Sequence, residues 1–110
     1  MAFRSTELLK GTVDLLILRT LELGPRHGVA IADRIAQITR NTFVIKPGSL
    51  FPALHRLEAD GFILGEWGET PEGRRARVYT LSAAGKKQLG IEKRNWERIS
   101  VAMGQVLEAE

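Results

Sequence analysis

Residues 46–63 read KPGSLFPALHRLEADGFI, and the arrangement of the remaining chain follows from this stretch. Two prolines and a glycine near its start disfavour regular helix. The apolar residues that follow recur at spacings of four and three, as on one face of an amphipathic helix: Leu50, Leu54 and Leu57. Asp60-Gly61 supplies a stop signal for that helix. Small, hydroxyl and basic side chains occupy its other faces, so we expect the helix to present them to a partner.

Composition limits the class of protein. The chain has 110 residues, 44% of them hydrophobic and 26% charged, which predicts one small globular domain. A core of this size is modest, so an oligomer would help to bury apolar surface. The absence of cysteine excludes a disulfide scaffold and a zinc ribbon. Residues 1–11 are too polar for a signal-peptide core and no apolar run would span a bilayer, so we expect a cytoplasmic protein without a membrane partner.

Positive charge is concentrated in two windows. Residues 46–57 contain two basic and no acidic residues, and residues 73–87 contain five basic and no acidic residues. The whole chain carries a formal charge of +3, so the remainder carries a net −4. Segregation of this kind is typical of a protein that binds a polyanion.

Helical and strand patterns alternate along the chain. A helix with apolar residues on almost all of its sides is predicted from near Glu7 to Leu23, capped by Ser5 or Thr6, and a second helix is predicted from His27 to Ile38. Thr39-Arg40-Asn41 breaks it, and residues 43–45 favour a short strand. Together with the helix in 46–63, these elements predict a helix-turn-helix whose later helix is the recognition helix for DNA.

A basic hairpin is predicted after that helix. Residues 62–67 and 75–81 have strand character, and turn-forming residues occupy 68–73 between them. Trp67 and Tyr79 are predicted as the core of the hairpin. The predicted fold class is therefore mainly α (α+β): a winged helix-turn-helix with a two- to three-stranded wing.

The last helix is predicted to begin at Ala83, capped by Ser82, and to run nearly to residue 110. Its apolar residues are spaced as in a coiled-coil seam that Glu92 interrupts at one position: Leu89, Trp96, Ile99, Met103 and Val106. We interpret the seam as a dimer contact. The domain organisation predicted is residues 1–81 for DNA binding and residues 82–110 as a long C-terminal dimerisation helix.

Three blocks of the chain, in order, resemble the PadR family of bacterial transcriptional regulators: LLKGTVDLLILRTLELGPRHGVAIADRI, KPGSLFPALHRLEADGFI and EWGETPEGRRARVYTLSAAGKKQL. The resemblance covers residues 8–89. It implies a winged-helix homodimer, usually a repressor, that binds an inverted-repeat operator and pairs through its C-terminal helix, often together with the first helix.

With one helix after the wing, the chain is similar to the short subfamily. Some short members take planar aromatic effectors between the C-terminal helices, and Trp96 lies where such a ring could stack. Phe51 replaces the tyrosine usual in PGSLYPAL, and Val29 stands where an aromatic residue is common. No cofactor is implied.

The predicted DNA contacts fall into three groups. Around the helix N-termini, Lys10, His27 and Gly28 would face phosphates, with Gly28 admitting the DNA backbone. On the recognition helix, the residues expected to reach bases or phosphates are Lys46, Pro47, Gly48, Ser49, Leu50, Phe51, His55 and Arg56. On the wing, Arg74, Arg75 and Arg77 would contact the flanking backbone or a narrow minor groove.

Each of these assignments has an ordinary structural alternative. Lys10 and His27 can be solvated surface residues, Phe51 can be core packing, and the wing arginines can serve only to protect an edge strand. Trp96 can pack at a dimer interface without any ligand.

Two other functions compete with DNA binding. An enzyme has little support, because the two histidines are far apart, no phosphate-binding loop or metal-ligand cluster is present, and Asp14 and Glu22 are predicted to be surface charges. A winged helix can also bind protein or RNA, but such a module needs neither a dimer seam nor a basic wing.

Overall fold

The computed structural model of the chain describes the backbone of residues 3–4 and 10–110 and the side chains from residue 11 onward. The elements in chain order are β1 (Phe3–Arg4), α1 (Lys10–Glu22), β2 (Arg26–His27), α2 (Gly28–Ile38), β3 (Phe43–Val44), α3 (Pro47–Ala59), β4 (Ile63–Glu69), β5 (Arg75–Leu81) and α4 (Ala83–Glu108). The predicted start of α1 near Glu7 and its cap at Ser5 or Thr6 lie outside the described residues.

The break between α2 and β3 is a left-handed turn. Arg40 and Asn41 have φ angles of 50° and 63°, and Asn41 N–H donates to the carbonyl of Ala36 at 2.7 Å. Asparagine tolerates this region better than most residues, which explains why the helix stops here. The prediction of a helix ending at Ile38 is confirmed.

α3 follows the predicted boundaries closely. Pro47 occupies its first position, where the missing N–H costs nothing, and Lys46 is the N-cap. Pro52 lies inside the helix and removes one backbone donor without ending it. At the C-terminus Gly61 has a φ of 78°, and its N–H and that of Phe62 donate to Glu58 and Leu57 at 3.0 Å each. This is a Schellman motif, the ending that Asp60-Gly61 predicted.

The wing is a long hairpin with a third strand. β4 and β5 pair antiparallel from Ile63 opposite Leu81 to Glu69 opposite Arg75. β2 joins the other edge of β5, with Arg26 opposite Tyr79. The sheet order is therefore β2-β5-β4, as the prediction of a two- to three-stranded wing allowed. A second, parallel pair joins β1 to β3.

One hydrophobic core joins all four helices to the sheet. The buried side chains are Val13, Ile17, Leu18, Leu21, Ile31, Ile35, Ile45, Leu50, Ala53, Leu54, Leu57, Ile63, Tyr79 and Leu89. The apolar stripe predicted for α3 supplies Leu50, Leu54 and Leu57, each at most 2% exposed. α3 is consequently fixed to the body of the domain along its whole length.

Ser82 connects the wing to α4. Its hydroxyl accepts from the N–H of Gly85 at 3.0 Å, the predicted cap, and donates to the carbonyl of Gly61 at 2.6 Å. From this cap α4 enters the core, where Leu89 is only 2% exposed. The inclusion of Leu89 in a dimer surface is therefore wrong: at this depth α4 packs on its own subunit.

Gly85 allows α4 to approach the end of β4. A Cβ atom added at Gly85 would overlap the carbonyl oxygen of Phe62, which belongs to a rigid backbone segment, whereas a Cβ added at Gly104 of the same helix meets nothing within 4 Å. We expect Gly85→Ala to lower the free energy of unfolding by at least about 2 kcal/mol. Gly104→Ala should raise it by roughly 0.5–1 kcal/mol, because alanine favours helix. Urea denaturation of both variants checks this, and equal stabilities would contradict the packing described here.

Candidate nucleic-acid interface

The outer face of α3 carries few hydrogen-bonding side chains. Opposite its buried stripe lie Gly48, Pro52, His55 and Ala59, all exposed. Within Pro47–Ala59, all of which the structure describes, His55 is the one exposed side chain that carries hydrogen-bonding atoms. A base contact from the middle of α3 would therefore come from His55.

The N-terminal end of α3 is open to a partner. Lys46, Pro47 and Gly48 are exposed and Ser49 is half-buried, as expected for groups that enter a groove first. The positive end of the helix dipole lies here. Leu50 differs: it is 2% exposed and belongs to the core, so the expected base contact by Leu50 is wrong.

Arg56 is bound to another helix. Its guanidinium forms an ion pair with Asp14 of α1, and the two side chains are 32% and 17% exposed. The prediction of Asp14 as a plain surface charge is therefore wrong, whereas Glu22 is exposed and pairs with Arg19. Because its charge is already paired, Arg56 holds α3 against α1.

Gly28 serves helix packing. A Cβ at this position would lie 3.2 Å from Cε1 of Phe51 and 3.3 Å from Cδ1 of Leu54. Gly28 is also buried, so the expectation that it admits the DNA backbone is wrong. Phe51, which is 37% exposed, packs on Gly28 with one edge of its ring. His27 is the N-cap of α2 and is half-buried.

The wing carries its cations beside an exposed indole. Arg74 and Arg75 are exposed near the tip, and the guanidinium carbon of Arg75 lies 4.5 Å from the centre of the Trp67 ring. Arg77 lies on the same face, as predicted, but its guanidinium donates to the carboxylate of Glu58 on α3.

Trp67 was missed as a functional candidate. It is 60% exposed, so its assignment to the hairpin core is wrong, while Tyr79 is 3% exposed and that assignment is confirmed. Both rings lie on one face, because Trp67 pairs with Arg77 and Gly65 with Tyr79. Tyr79 lies beside β2 and the body of the domain, whereas Trp67 lies further out along the wing.

A cleft separates α3 from the wing. Its volume is about 290 Å³, and its walls are largely apolar and aromatic. The residues that line it are His27, Gly28, Val29, Phe51, His55, Trp67, Ala76, Arg77 and Tyr79. His55 of α3 and Trp67 of the wing thus belong to one continuous surface.

The apolar seam of α4 emerges from the core and becomes exposed. Its exposed members past Leu89 are Trp96 (48%), Ile99 (46%), Met103 (61%) and Val106 (75%). A second cleft of about 210 Å³ lies between α1 and α4 and is lined by Gly11, Thr12, Leu15, Glu92, Asn95, Trp96 and Ile99. Glu92, which interrupts the seam, accepts a hydrogen bond from Gln88 at 2.9 Å.

Some predicted features fall outside what the structure tests. The side chain of Lys10 lies outside the described residues, so its phosphate contact stays a prediction. Among the residues described, no cluster of three or more histidine or acidic side chains is placed to hold a metal ion. Within the same part of the chain no helix is both long and apolar enough to cross a membrane.

Known proteins that are similar to this chain include transcriptional regulators. Residues 17–91 match the model of the transcriptional regulator PadR-like family. The transcriptional regulator Rv3488 of Mycobacterium tuberculosis is 33% identical over 94 residues, which cover 86% of this chain and 84% of that protein.

Solved structures agree with this assignment. A transcriptional regulator from Clostridium thermocellum superposes with a TM-score of 0.80 at 30% identity, covering 87% of this chain and 93% of that one. A PadR family transcription regulator from Clostridium difficile gives a TM-score of 0.73 at 32% identity, covering 86% and 97%. These relatives are transcriptional regulators, not enzymes, and this chain has the same winged-helix fold, with α4 as its long C-terminal helix. The chain belongs to the PadR-like family of transcriptional regulators.

Proposed function

We propose that the chain works as a homodimeric repressor that binds an inverted-repeat operator through α3 and the wing. The observation that supports it best is the continuous surface in which His55 of α3 and Trp67 of the wing line one cleft, with exposed Arg74 and Arg75 beyond it. Phosphate contacts by the wing would supply affinity, and side chains of α3 in the major groove would supply specificity. A dimer that covers its operator represses by occupying it.

The part of α3 that we propose contacts DNA is small. Lys46, Pro47, Gly48 and Ser49 would enter the groove first, while Phe51 and Pro52 offer apolar contacts to thymine methyl groups. His55 would provide the hydrogen bond to a base edge from the middle of the helix. His27 at the start of α2 would face a phosphate. Arg56 is assigned no base contact, because Asp14 holds it.

α4 is the proposed dimer element, so that residues 1–81 would bind DNA and residues 82–110 would pair the subunits. With 26 residues it is about 39 Å long, and its apolar stripe, interrupted at Glu92, extends from the core at Leu89 to exposed residues near its C-terminus. Large apolar side chains exposed in one stripe are typical of an interface. Two-fold pairing of α4 would place two copies of α3 on one side of the dimer, as an inverted repeat requires.

We also propose an effector site in the cleft between α1 and α4. Trp96 lies in this cleft with half its side chain exposed, and Glu92 and Asn95 supply polar atoms beside it. A planar aromatic compound could stack on the indole and hydrogen-bond to these groups. Because the same residues border the proposed dimer seam, such a compound would alter how the subunits pair and would release the operator.

Selection of bound duplexes from a random pool at a stated salt concentration tests the proposed function. We expect a two-fold symmetric site with half-sites about one helical turn apart. A parallel selection with His55→Ala should lose discrimination at a symmetric pair of positions, by about 1–3 kcal/mol per base pair, and keep the spacing. An asymmetric site, or RNA bound in preference to duplex DNA, would support the protein- or RNA-binding alternative.

Dimerisation through the α4 seam can be tested with a matched pair of substitutions. Met103 lies in the seam and Val101 on the opposite side of the helix, and the two side chains are 61% and 62% exposed. Met103→Asp should give a monomer in sedimentation equilibrium at micromolar concentration, because it places a charge in an apolar interface. Val101→Asp should remain a dimer. A dimer in both variants would place the interface elsewhere.

The effector site predicts a specific fluorescence change. In a Trp67→Phe protein, Trp96 is the remaining tryptophan, and ethidium, acridine orange or benzoate should quench its emission at saturation. The Trp96→Phe protein, which keeps Trp67, serves as the control and should show no saturable quenching. If no compound in such a panel quenches Trp96, the cleft is a packing feature only.

A further inference from the structure

Two arginines on one face of the wing have different surroundings. Arg75 is exposed, and its guanidinium carbon lies 4.5 Å from the centre of the Trp67 ring. Arg77 is 33% exposed and forms an ion pair with Glu58 of α3. The same nitrogen of Arg77 donates to the carbonyl of Gly65 at 2.9 Å.

The position of Arg77 is also shaped by its neighbours. Its guanidinium carbon lies 5.6 Å from the Trp67 ring centre and 6.0 Å from that of Tyr79, on the face where aromatic rings attract cations. Gly65 lies directly beneath it, and a Cβ atom there would overlap the guanidinium. The guanidinium is therefore fixed in one place by its hydrogen bonds to acceptors on α3 and β4, by two aromatic rings and by the space that Gly65 leaves.

These contacts oppose the use of Arg77 as a phosphate contact. To reach DNA, the guanidinium would have to leave the carboxylate, the carbonyl and both rings. It would also leave the unneutralised carboxylate of Glu58 on the helix that faces the phosphates, and like charges across an interface are unfavourable. Arg75 lies over the Trp67 ring, whereas the carboxylate of Glu58 and the carbonyl of Gly65 accept from Arg77.

We propose, on the basis of the DNA-binding function proposed above, that Arg77 is a positioning residue. By binding Glu58 it fixes the wing against the recognition helix, and Arg75 together with the exposed face of Trp67 makes the wing's contact with the DNA backbone. The indole, with a guanidinium over it and 60% of its surface exposed, forms a flat cationic surface suited to a deoxyribose and its phosphate.

The salt dependence of binding separates the two arginines. Arg75→Gln and Arg77→Gln remove the same charge from alternate positions of one strand face, and the probe is the duplex recovered by selection with the parent protein. Each phosphate contact contributes about 0.9 to the slope of log K against log salt concentration. Arg75→Gln should lower the slope by about that amount. Arg77→Gln combined with Glu58→Gln, which removes the ion pair without leaving an unpaired carboxylate, should weaken binding at every salt concentration and leave the slope unchanged.

A slope lowered by this double variant as much as by Arg75→Gln would overturn the proposal while leaving the proposed function intact. If the parent protein bound no duplex at low salt, the proposed function would fail and this proposal with it. The two failures are therefore distinguishable.

Gly65→Ala provides a second test that changes no charge. The added methyl group would overlap the Arg77 guanidinium and move it away from the Glu58 carboxylate. The positive charge of Arg77 remains on the wing. We expect Gly65→Ala to weaken DNA binding by a factor similar to that of the double variant. Binding as tight as the parent's, or tighter, would mean that a freed Arg77 serves DNA equally well and would refute the positioning role. A thermal melt of each variant confirms that it is folded.

The contact by Trp67 has a spectroscopic test. In the Trp96→Phe protein, emission comes from Trp67 alone and should be quenched or shifted when the selected duplex saturates the protein. The Trp67→Phe protein should show little change on adding the same duplex, because Trp96 lies in the α1–α4 cleft. Unchanged emission from Trp67 at saturation would remove it from the interface.

Discussion

Two arginine–carboxylate pairs hold α3 from opposite flanks. Arg56 binds Asp14 of α1 on one side, and Glu58 binds Arg77 of β5 on the other. Beneath them the apolar stripe of α3 is buried against the core. Burial fixes the depth of the helix in the domain, and the flanking pairs resist its rotation and sliding because each needs a particular geometry. The outer face of α3 is therefore presented at a defined angle.

The pairs also limit which charges remain for a partner. Partly exposed ion pairs contribute little stability by themselves, about 1 kcal/mol or less. Their larger effect here is on the surface, since two arginines that appear available in the sequence are already neutralised. Arg74 and Arg75, near the tip of the wing, are exposed beside the proposed interface. The positively charged surface available to DNA is accordingly smaller than the sequence suggests.

The sequence predicted the order and type of the elements well, because their signals are local. Asp60-Gly61, Ser82 and the three leucines of α3 each act through neighbouring residues. The predictions that were wrong concern how deeply a side chain is buried and which residues it contacts. Alternation places Trp67 and Tyr79 on one face, but how far each lies from the body of the domain depends on β2, which is remote in sequence. Leu89, Gly28 and the partners of Arg56 likewise depended on which helices meet.

α1 lines the cleft beside Trp96 and is also ion-paired to α3. Gly11, Thr12 and Leu15 of α1 line the cleft beside Trp96, and Asp14, between them in sequence, holds Arg56 of α3. A compound bound beside Trp96 would therefore contact α1, the helix whose Asp14 binds Arg56 of α3. It would change DNA affinity only if it bound two arrangements of α1 with different affinities. α1 contacts the Trp96 cleft through Leu15 and contacts α3 through the Asp14–Arg56 pair. A shift of α1, together with altered pairing of α4, would therefore couple effector binding to DNA affinity.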